Sequence, residues 1–505
     1  MALDKLYIDA TVPLRWGPHP PVGIPRVETA IVRQAMRRSR ANEARFGKQD
    51  AVRFFMINRN GEARFLDRRE LAYLGDLVEG RVSAIASGDG ETLSKRVEMV
   101  VKAIRSGAMN SGKEFDRVSA SYISGRNDRR GLRYQAAKTF IRAAKLIAGR
   151  PPKRDPEPDP LTDARAACFI STAGLHSLAG SGRHDDIAAS LATVLHDLIP
   201  LDHPDLVDRS HARNFENDVA WMFAHCDRII TVSAHTAETA RRYAAEHGMD
   251  QPPSVAVSRL GSFLKEGLSQ KPLEPVAALA GQRFALYCST IEIRKNHIML
   301  LKTWARLIPL LGEKLPKLVF CGRWGWMNQE VEAYLAAHPE LKSHLVLLSD
   351  MSDAELGWLY AHADFGLYPS LAEGWGLGAV ECLDFGLPVL ISDTPSLAEA
   401  TQGLMPIIES DDAAGWAAAV TRAVEEPAWL QELTTRIMMG YLPISETRFS
   451  SRVLSLVADE ESERGSADSF KAEPTGLKPT LPRLAPWRVP SQNRDSARLG
   501  RLAGI

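Results

Sequence analysis

Short apolar runs alternate with helical segments along the first half of the chain. Each run is only a few residues long and rich in β-branched or aromatic residues, which is typical of a strand buried on both faces. Strands that alternate with helices form a parallel sheet covered on both sides. The pattern therefore predicts a doubly wound α/β domain over residues 1–261, with strands at 6–8, 52–57, 168–170, 193–195 and 229–232.

A second series of apolar runs begins after an interruption at residues 262–281. The interruption contains prolines and lacks a regular period, so it is predicted to be an interdomain linker. Two doubly wound domains in succession are expected to face each other across a cleft that binds the ligand. The second domain is predicted over residues 282–440, with a helix at 353–361 and strands at 284–288, 318–320, 345–348, 365–368 and 389–391.

Two segments do not follow this alternation. Residues 95–154 carry about 16 basic and about 4 acidic residues, with apolar residues at helical spacing, which predicts a basic helical insertion in the first domain. Its cations Lys138, Arg142 and Lys145 recur beside apolar residues, a pattern that suits a helix on an anionic membrane surface. A solvated basic helix packed on its own domain is the alternative. Residues 460–505 are rich in Ser, Pro and Arg and are predicted to form a disordered tail.

The overall composition is that of a folded protein. Hydrophobic residues make up 45% and charged residues 25% of the 505 residues, and 62 basic residues balance 62 acidic ones, which argues against nucleic acid as the main partner. The five scattered cysteines contain no CxxC pair and are typical of buried thiols in a reducing compartment. No signal segment opens the chain and no apolar run reaches about 18 residues. The expected location is therefore the cytoplasm, with peripheral contact to the inner face of the membrane left open.

Residues 368–381, YPSLAEGWGLGAVE, combine two carboxylates with three glycines between a strand and a helix. Glycine lets the backbone approach a ligand closely, and a helix N-terminus offers unpaired N–H groups and a partial positive charge to a phosphate. Glu373 lies on the loop, and Glu381 lies eight positions later in the predicted helix. This arrangement predicts a sugar-diphosphate site in which the two carboxylates accept hydrogen bonds from sugar and ribose hydroxyls.

The E-x7-E arrangement resembles the signature of the family-4 retaining glycosyltransferases, which have the GT-B fold. The resemblance covers most of residues 6–456, apart from the basic insertion, and its blocks occur in the family's order. It implies two Rossmann-like doubly wound domains facing across a cleft, and a helical segment at 441–459 that crosses back to the first domain. The other blocks are GIPRV at 23–27, HDLIP at 196–200, DRIITVS at 227–233, STIEIRKN at 289–296, and residues 318–323 followed by WGW.

The resemblance also implies roles for the candidate site residues. Lys295 and Arg294 would hold the donor diphosphate and offset the charge that develops on the departing nucleotide. Glu373 would accept hydrogen bonds from the donor sugar, and Glu381 from the ribose. His196, grouped with Glu373 and Lys295 as catalytic, would close the site from the first domain. The remaining candidate donor contacts are Gly23, Arg323 and the phosphate-cradling loop Gly374, Trp375, Gly376, Leu377 and Gly378.

Simpler uses of these residue types stay open. A lone glutamate on a glycine-rich turn is more often a capping residue, and a lone histidine is more often structural than catalytic. Arg323 is equally suited to a surface ion pair, and Trp324, Trp326 and Trp375 suit a cleft wall or a core. The chain also departs from the family at Thr290, where many members carry an arginine, so Arg294 either replaces that arginine or the phosphates are held more weakly.

Neither a metal nor a cofactor is expected. No Asp-x-Asp follows an apolar strand, and fixed cations with helix N–H groups can neutralise the leaving group themselves. No Ser-His-Asp or Cys-His set stands out. In the family's usual mechanism a donor phosphate oxygen takes the acceptor proton, so no protein nucleophile is needed.

The predicted reaction moves a hexose from a nucleoside diphosphate sugar to a glycan or lipid-linked oligosaccharide, with retention of configuration. The RKN and HDLIP blocks are similar to bacterial surface-polysaccharide transferases, which favours mannose carried by GDP. The alternatives are another GT-B enzyme, such as a nucleotide-sugar epimerase or a phosphorylase, and a non-catalytic subunit of a polysaccharide assembly complex. A dinucleotide oxidoreductase is disfavoured because no strand-GxGxxG-helix fingerprint is present.

Overall fold

The computed structural model describes residues 5–17, 23–46, 52–80, 93–105, 131–148, 157–264, 276–349 and 351–459, together with 116, 119–120 and 123–124. Its strands form two sheets that follow one another along the chain. The first sheet contains β1 Lys5–Asp9, β2 Val52–Ile57, β3 Ala63–Phe65, β4 Ala166–Ile170, β5 Ser190–Leu195, β6 Arg228–Thr231 and β7 Ser254–Val257. The second contains β8 Phe284–Cys288, β9 Lys317–Cys321, β10 Leu345–Leu348, β11 Phe365–Tyr368, β12 Val389–Ser392 and β13 Ile407–Ile408.

Both sheets have doubly wound topology. The first has the order β3-β2-β1-β4-β5-β6-β7, with β3 antiparallel at one edge and the other strands parallel. The second is parallel throughout, in the order β10-β9-β8-β11-β12-β13. This is the strand order of a nucleotide-binding α/β domain, in which the chain direction across the sheet reverses between β8 and β11. The GT-B arrangement predicted from the sequence is confirmed.

Helices cover both faces of the sheets. In the first domain they are α1 Thr11–Trp16, α2 Ile24–Phe46, α3 Arg68–Val78, α4 Leu93–Arg105, α5 Leu132–Ala148, α6 Thr172–Ser181, α7 Ile199–Asp202, α8 Arg209–His225 and α9 Ala234–Glu246. In the second they are α10 His297–Leu311, α11 Gln329–Ala337, α12 Asp353–His362, α13 Leu377–Asp384, α14 Pro395–Ala400, α15 Ala413–Glu425 and α16 Pro427–Gly440, and α17 Glu446–Val457 follows.

The ten strands predicted from apolar runs are all present, and most of them are buried on both faces. In β1, Leu6 and Ile8 pack into one core of the first domain while Tyr7 packs into the core on the opposite face. Helix starts follow from local chemistry too. Ser352 caps α12 and forms a reciprocal capping box with Glu355, and Asp412 accepts hydrogen bonds from two N–H groups at the start of α15.

Helix α17 packs on the first domain although it follows the second in sequence. Its Phe449 and Val453 are buried in the same core as α2 and β1. Arg33 on α2 is ion-paired with Glu446, and the Arg452 side chain donates to the Val257 carbonyl over 2.9 Å. The last described helix therefore completes the core of the first domain.

Some of the sequence predictions concern residues outside the described ranges. The predicted tail at 460–505 and parts of the basic insertion lie outside the described residues. Within the described ranges, no helix is both long enough and apolar enough to cross a bilayer.

Candidate active site

The loops predicted to bind the donor follow β8 and β11. The chain direction across the second sheet reverses between these two strands. β8 and β11 are neighbours, and the segments after their carboxyl ends carry Lys295 and Glu373 respectively. Ligands of open α/β sheets bind in the crevice at this point, because two adjacent loops there run in opposite directions. The sheet topology alone therefore brings together two residues that lie 78 positions apart in sequence.

A single helical turn, Ile293–Lys295, presents the two cations. The turn ends at Asn296 in the left-handed conformation, with a φ of 55°, and α10 begins at the next residue. The Asn296 amide donates to the carbonyls of Pro369 and Ser410 over 3.1 and 2.9 Å. The Leu371 N–H donates to the Arg294 carbonyl over 2.8 Å, so both loops are held as one unit.

Glu373 lies at the centre of a buried charge cluster. Its carboxylate is ion-paired with Lys295, lies 3.0 Å from Nη1 of Arg294 and accepts a hydrogen bond from Ser370 Oγ over 2.8 Å. Burial alone would raise the pKa of Glu373, but the charges of Lys295 and Arg294 outweigh burial and lower it to about 2. The carboxylate is therefore ionised at neutral pH and is the shared partner of both cations.

A second acidic group, Glu292, contacts Arg294. Arg294 Nε lies 2.7 Å from Glu292, and burial together with the Arg294 charge lowers the pKa of Lys295. Asp197 lies next to His196 on the first domain. Burial raises the pKa of Asp197, and the nearby charge of Arg294 opposes that effect. A diphosphate entering this site would exchange carboxylate partners for phosphate oxygens on cations that are already positioned.

Glu381 lies in a separate buried environment on α13. Its carboxylate accepts a hydrogen bond from the Tyr360 hydroxyl over 2.8 Å and lies 3.9 Å from Nη1 of Arg26. Arg26, on α2 of the first domain, is also ion-paired with Asp353. Burial raises the pKa of Glu381, and Arg26 opposes that effect. The predicted ribose acceptor is therefore linked across the cleft to Arg26, a residue that the sequence interpretation did not select.

The glycines of the predicted phosphate loop are explained by protein packing. A Cβ on Gly374 would overlap the His196 carbonyl, and one on Gly378 would overlap the Tyr368 hydroxyl. Gly376 has a φ of 108°, which residues with a side chain rarely adopt. Fewer residues of the loop can therefore face a ligand than the sequence predicted. Leu377 and Gly378, the half-exposed first residues of α13, carry the N–H groups suited to an anion.

The other candidates occupy varied positions. Trp375 is buried in an apolar core shared with the first domain, and its indole N–H has no hydrogen-bond partner among the described residues. Gly23 is exposed, has a φ of 57° and precedes α2, with open space around it. Arg323 follows β9, and its carbonyl accepts from the Ile291 N–H over 2.8 Å. Arg323 thus lies beside the cation loop, whereas Trp375 serves the domain interface.

His196 follows β5 and contacts the loop of Glu373 through its backbone. Burial lowers the pKa of His196 to about 4, so the ring is neutral at pH 7. Its Nε2 is buried without a hydrogen-bond partner in the described part of the chain. A neutral ring with an unsatisfied nitrogen suits hydrogen bonding to a ligand better than charge stabilisation.

A cleft cavity of about 140 Å³ adjoins this cluster. It is lined from the first domain by Asp197, His203 and His235 and from the second by Glu373 and Thr394. Within the ranges that the structure describes, no group of three or more His, Cys, Asp or Glu residues is arranged to hold a metal ion. The arrangement offers fixed cations, helix N–H groups and acceptors for hydroxyls.

Comparison with known proteins finds a family match over part of the chain. Residues 273–437 match the family model for glycosyl transferases group 1. The serotype-specific mannosyltransferase WbdA of Escherichia coli is 31% identical over 218 residues, which is 41% of this chain and 26% of that protein. The O-antigen chain mannosyltransferase B of E. coli is 26% identical over 48% of this chain and 64% of its own length. The chain thus spans about a quarter of WbdA.

Among solved structures, an α,α-trehalose 6-phosphate synthase from Burkholderia multivorans aligns with a TM-score of 0.44 at 15% identity, over 70% of this chain and 81% of that one.

Proposed function

We propose that this chain, a group 1 glycosyltransferase over residues 273–437, moves a hexose from a nucleoside diphosphate sugar to a hydroxyl of a glycan or lipid-linked oligosaccharide. The buried cluster of Lys295, Arg294 and Glu373 at the sheet's switch point carries the proposal, because it matches a diphosphate next to a sugar. The likeness to mannosyltransferases of E. coli supports mannose as the sugar and GDP as its carrier.

The proposed chemistry uses groups that are already fixed in the cleft. The bond between the sugar C1 and the leaving phosphate oxygen breaks as the acceptor oxygen bonds to C1 on the same face, so configuration is retained. The acceptor proton passes to a phosphate oxygen of the leaving group. Lys295, Arg294 and the N–H groups at the start of α13 offset the negative charge that develops there. Glu373 orients sugar hydroxyls, and neutral His196 adds a hydrogen bond from the first domain.

Transfer should persist in excess chelator and keep the donor's anomeric configuration. The physical reason is that two cations and the helix N-terminus replace the metal that other transferases use. The measurement is an NMR assignment of the product formed from GDP-mannose with an α-mannoside acceptor, with and without EDTA. Activity that is abolished by EDTA and restored by Mn²⁺ or Mg²⁺ would contradict the mechanism.

Two companion measurements separate the alternatives. A thermal-shift screen against nucleoside diphosphates identifies the carrier, because a ligand at about 100 times its Kd adds about 2.7 kcal/mol. GDP release with and without acceptor distinguishes a transferase from an epimerase. A protein that binds no nucleotide at all would instead fit a non-catalytic subunit.

We further propose that α5 rests on an anionic membrane that presents a lipid-linked acceptor. Its inner side, including Tyr134 and Ile141, packs into the first-domain core. Its outer side exposes 89% of Leu132, 83% of Leu146 and 85% of Ile147. A helix face in contact with water rarely exposes three aliphatic side chains to this extent. Nearby cations suit a lipid headgroup layer.

The cations that we propose to contact lipid differ from those selected from the sequence. Lys145, selected from the sequence, is half-buried and ion-paired with Asp116, so it is unsuited to lipid contact. Arg133 and Arg142 are exposed on α5, and Lys138 is half-exposed. Each cation near an anionic surface contributes about 1 kcal/mol, so attachment through these three should depend on salt.

Binding to vesicles containing anionic lipid should be lost when Arg133, Lys138 and Arg142 are changed to Glu. Serine in place of Leu132, Leu146 and Ile147 should weaken it at every salt concentration, because these residues supply the apolar contact. The assay is vesicle flotation at low and high salt. Arg306→Glu with Lys314→Glu and Lys342→Glu, on three exposed sites of the second domain, is the charge-matched control. Equal flotation with neutral and anionic vesicles would refute the proposal.

A further inference from the structure

Two exposed indoles lie on the loop that follows β9. The exposed fractions of Trp324 and Trp326 are 44% and 40%. The loop is fixed rather than projecting freely, because Trp324 pairs with Ile291 as an isolated parallel bridge and the Gly325 N–H donates to the Ile291 carbonyl over 2.8 Å. Ile291 leads directly into the turn that carries Arg294. The two tryptophans are therefore held at a set position beside the donor cations.

Trp326 also reaches the first domain. Its indole N–H points to the Leu206 carbonyl over 3.5 Å, and its ring centroid lies 6.2 Å from that of His211 on α8. Beneath this contact, Leu206 and Ile199 of the first domain pack with Ala372 of the second. Ala372 immediately precedes Glu373. Trp324 and Trp326 together form an aromatic rim. This rim closes one end of the same cleft that contains the charge cluster.

The rim continues from the cavity along a short helical turn, Pro204–Leu206. His203, before this turn, lines the cavity with Glu373, and Leu206, at its end, contacts Trp326. A rise of about 2 Å per residue makes this path roughly 6 Å long, about the width of one sugar ring. The end of the site that we propose for the nucleoside lies around Glu381. That carboxylate contacts Tyr360 and Arg26 and lies away from the two tryptophans in sequence.

We infer that Trp324 and Trp326 form an acceptor subsite that stacks against a pyranose ring of the acceptor glycan. A pyranose presents an apolar C–H face and a polar hydroxyl edge, so a partly exposed indole matches its face while neighbouring polar groups satisfy its edge. His203 and Asp202 on the adjoining cavity wall supply such groups. The inference rests on the proposed function, because it assigns the acceptor of that transfer.

The subsite has a distinct kinetic signature. With GDP-mannose as donor and α-mannobiose as acceptor, Trp324→Ala and Trp326→Ala should each raise the acceptor KM on the order of 10-fold, the scale of one lost aromatic contact. The KM for GDP-mannose, GDP binding by thermal shift and slow GDP-mannose hydrolysis should stay within about 2-fold of wild type. Trp324→Phe and Trp326→Phe should recover most of the acceptor affinity.

Controls separate the subsite from folding and from the proposed function. Leu310→Ala removes an apolar side chain that is 70% exposed on α10 of the same domain and should change no parameter. An unchanged acceptor KM in the folded alanine variants would overturn the subsite. Weakened GDP binding in those variants would also overturn it, because the indoles would then contact the nucleotide. Absence of binding to every nucleoside diphosphate in the thermal-shift screen would refute the proposed function itself.

Discussion

Replacement of Glu373 by alanine should lower kcat/KM by roughly 10²- to 10³-fold and also destabilise the fold. A glutamate exposed on the cleft surface could be replaced with little change in stability. The structure instead buries the carboxylate between Lys295 and Arg294. Removing it leaves two buried cations without their shared partner, and breaking a buried pair in this way costs about 3–5 kcal/mol.

Urea unfolding and steady-state kinetics measure the two effects separately. Glu432→Ala breaks an exposed ion pair with Arg436 and should change the unfolding free energy by no more than about 0.5 kcal/mol. Pyrophosphate should restore part of the stability of Glu373→Ala, because it supplies the missing anion. A variant with wild-type stability and no response to pyrophosphate would contradict the buried cluster.

The stability difference between wild type and Glu373→Gln should also depend on pH. The folded-state pKa of about 2 lies below the ordinary value of 4.5, so the native state binds fewer protons than the unfolded chain between these values. The stabilisation from the ionised carboxylate is therefore complete above about pH 4.5 and is lost as the pH falls toward 2. A difference that grew on acidification would have the wrong sign.

Replacement of Lys295 by alanine should reduce kcat/KM by a similar roughly 10²- to 10³-fold but leave stability nearly unchanged. Loss of Lys295 should therefore cost less stability than loss of Glu373. Without Lys295 the carboxylate still pairs with Arg294 and accepts from Ser370, so no buried charge is left uncompensated. In the proposed mechanism, however, the leaving phosphate would lose one of its two fixed cations.

The measurement combines kcat/KM for GDP-mannose with thermal unfolding of the same sample. Lys302→Ala, which breaks an exposed pair with Glu330 in the same domain, is the control and should retain full activity. Near-normal activity in folded Lys295→Ala would remove Lys295 from the site. A stability loss as large as that of Glu373→Ala would show that the two cations do not share the carboxylate.

Much of the fold could be read from the sequence because buried parallel strands leave a continuous apolar record. Runs such as 284–288 coincide with observed strands since both faces of each strand are covered. The three strands that were not predicted are short or lie at sheet edges, where apolar character is weaker. They are β3, β7 and β13.

The site was only partly readable for a related reason. Lys295 and Glu373 follow strand ends, so their local motifs could be recognised. The link from Arg26 to Asp353 joins residues 327 positions apart and depends on how the two domains meet, which no local pattern records. The same holds for Gly374, whose need for a glycine comes from the His196 carbonyl on the other domain.

The return of α17 to the first domain sets the order in which the protein can be completed on the ribosome. The core around α2 needs Phe449 and Val453, yet roughly 190 residues separate β7 from α17. At about 5–20 residues per second, synthesis of that stretch takes roughly 10–40 s. During this interval the apolar surface that α17 will cover stays open, while the second domain already has its whole sheet available. The second domain to be translated is therefore the first that can close its core.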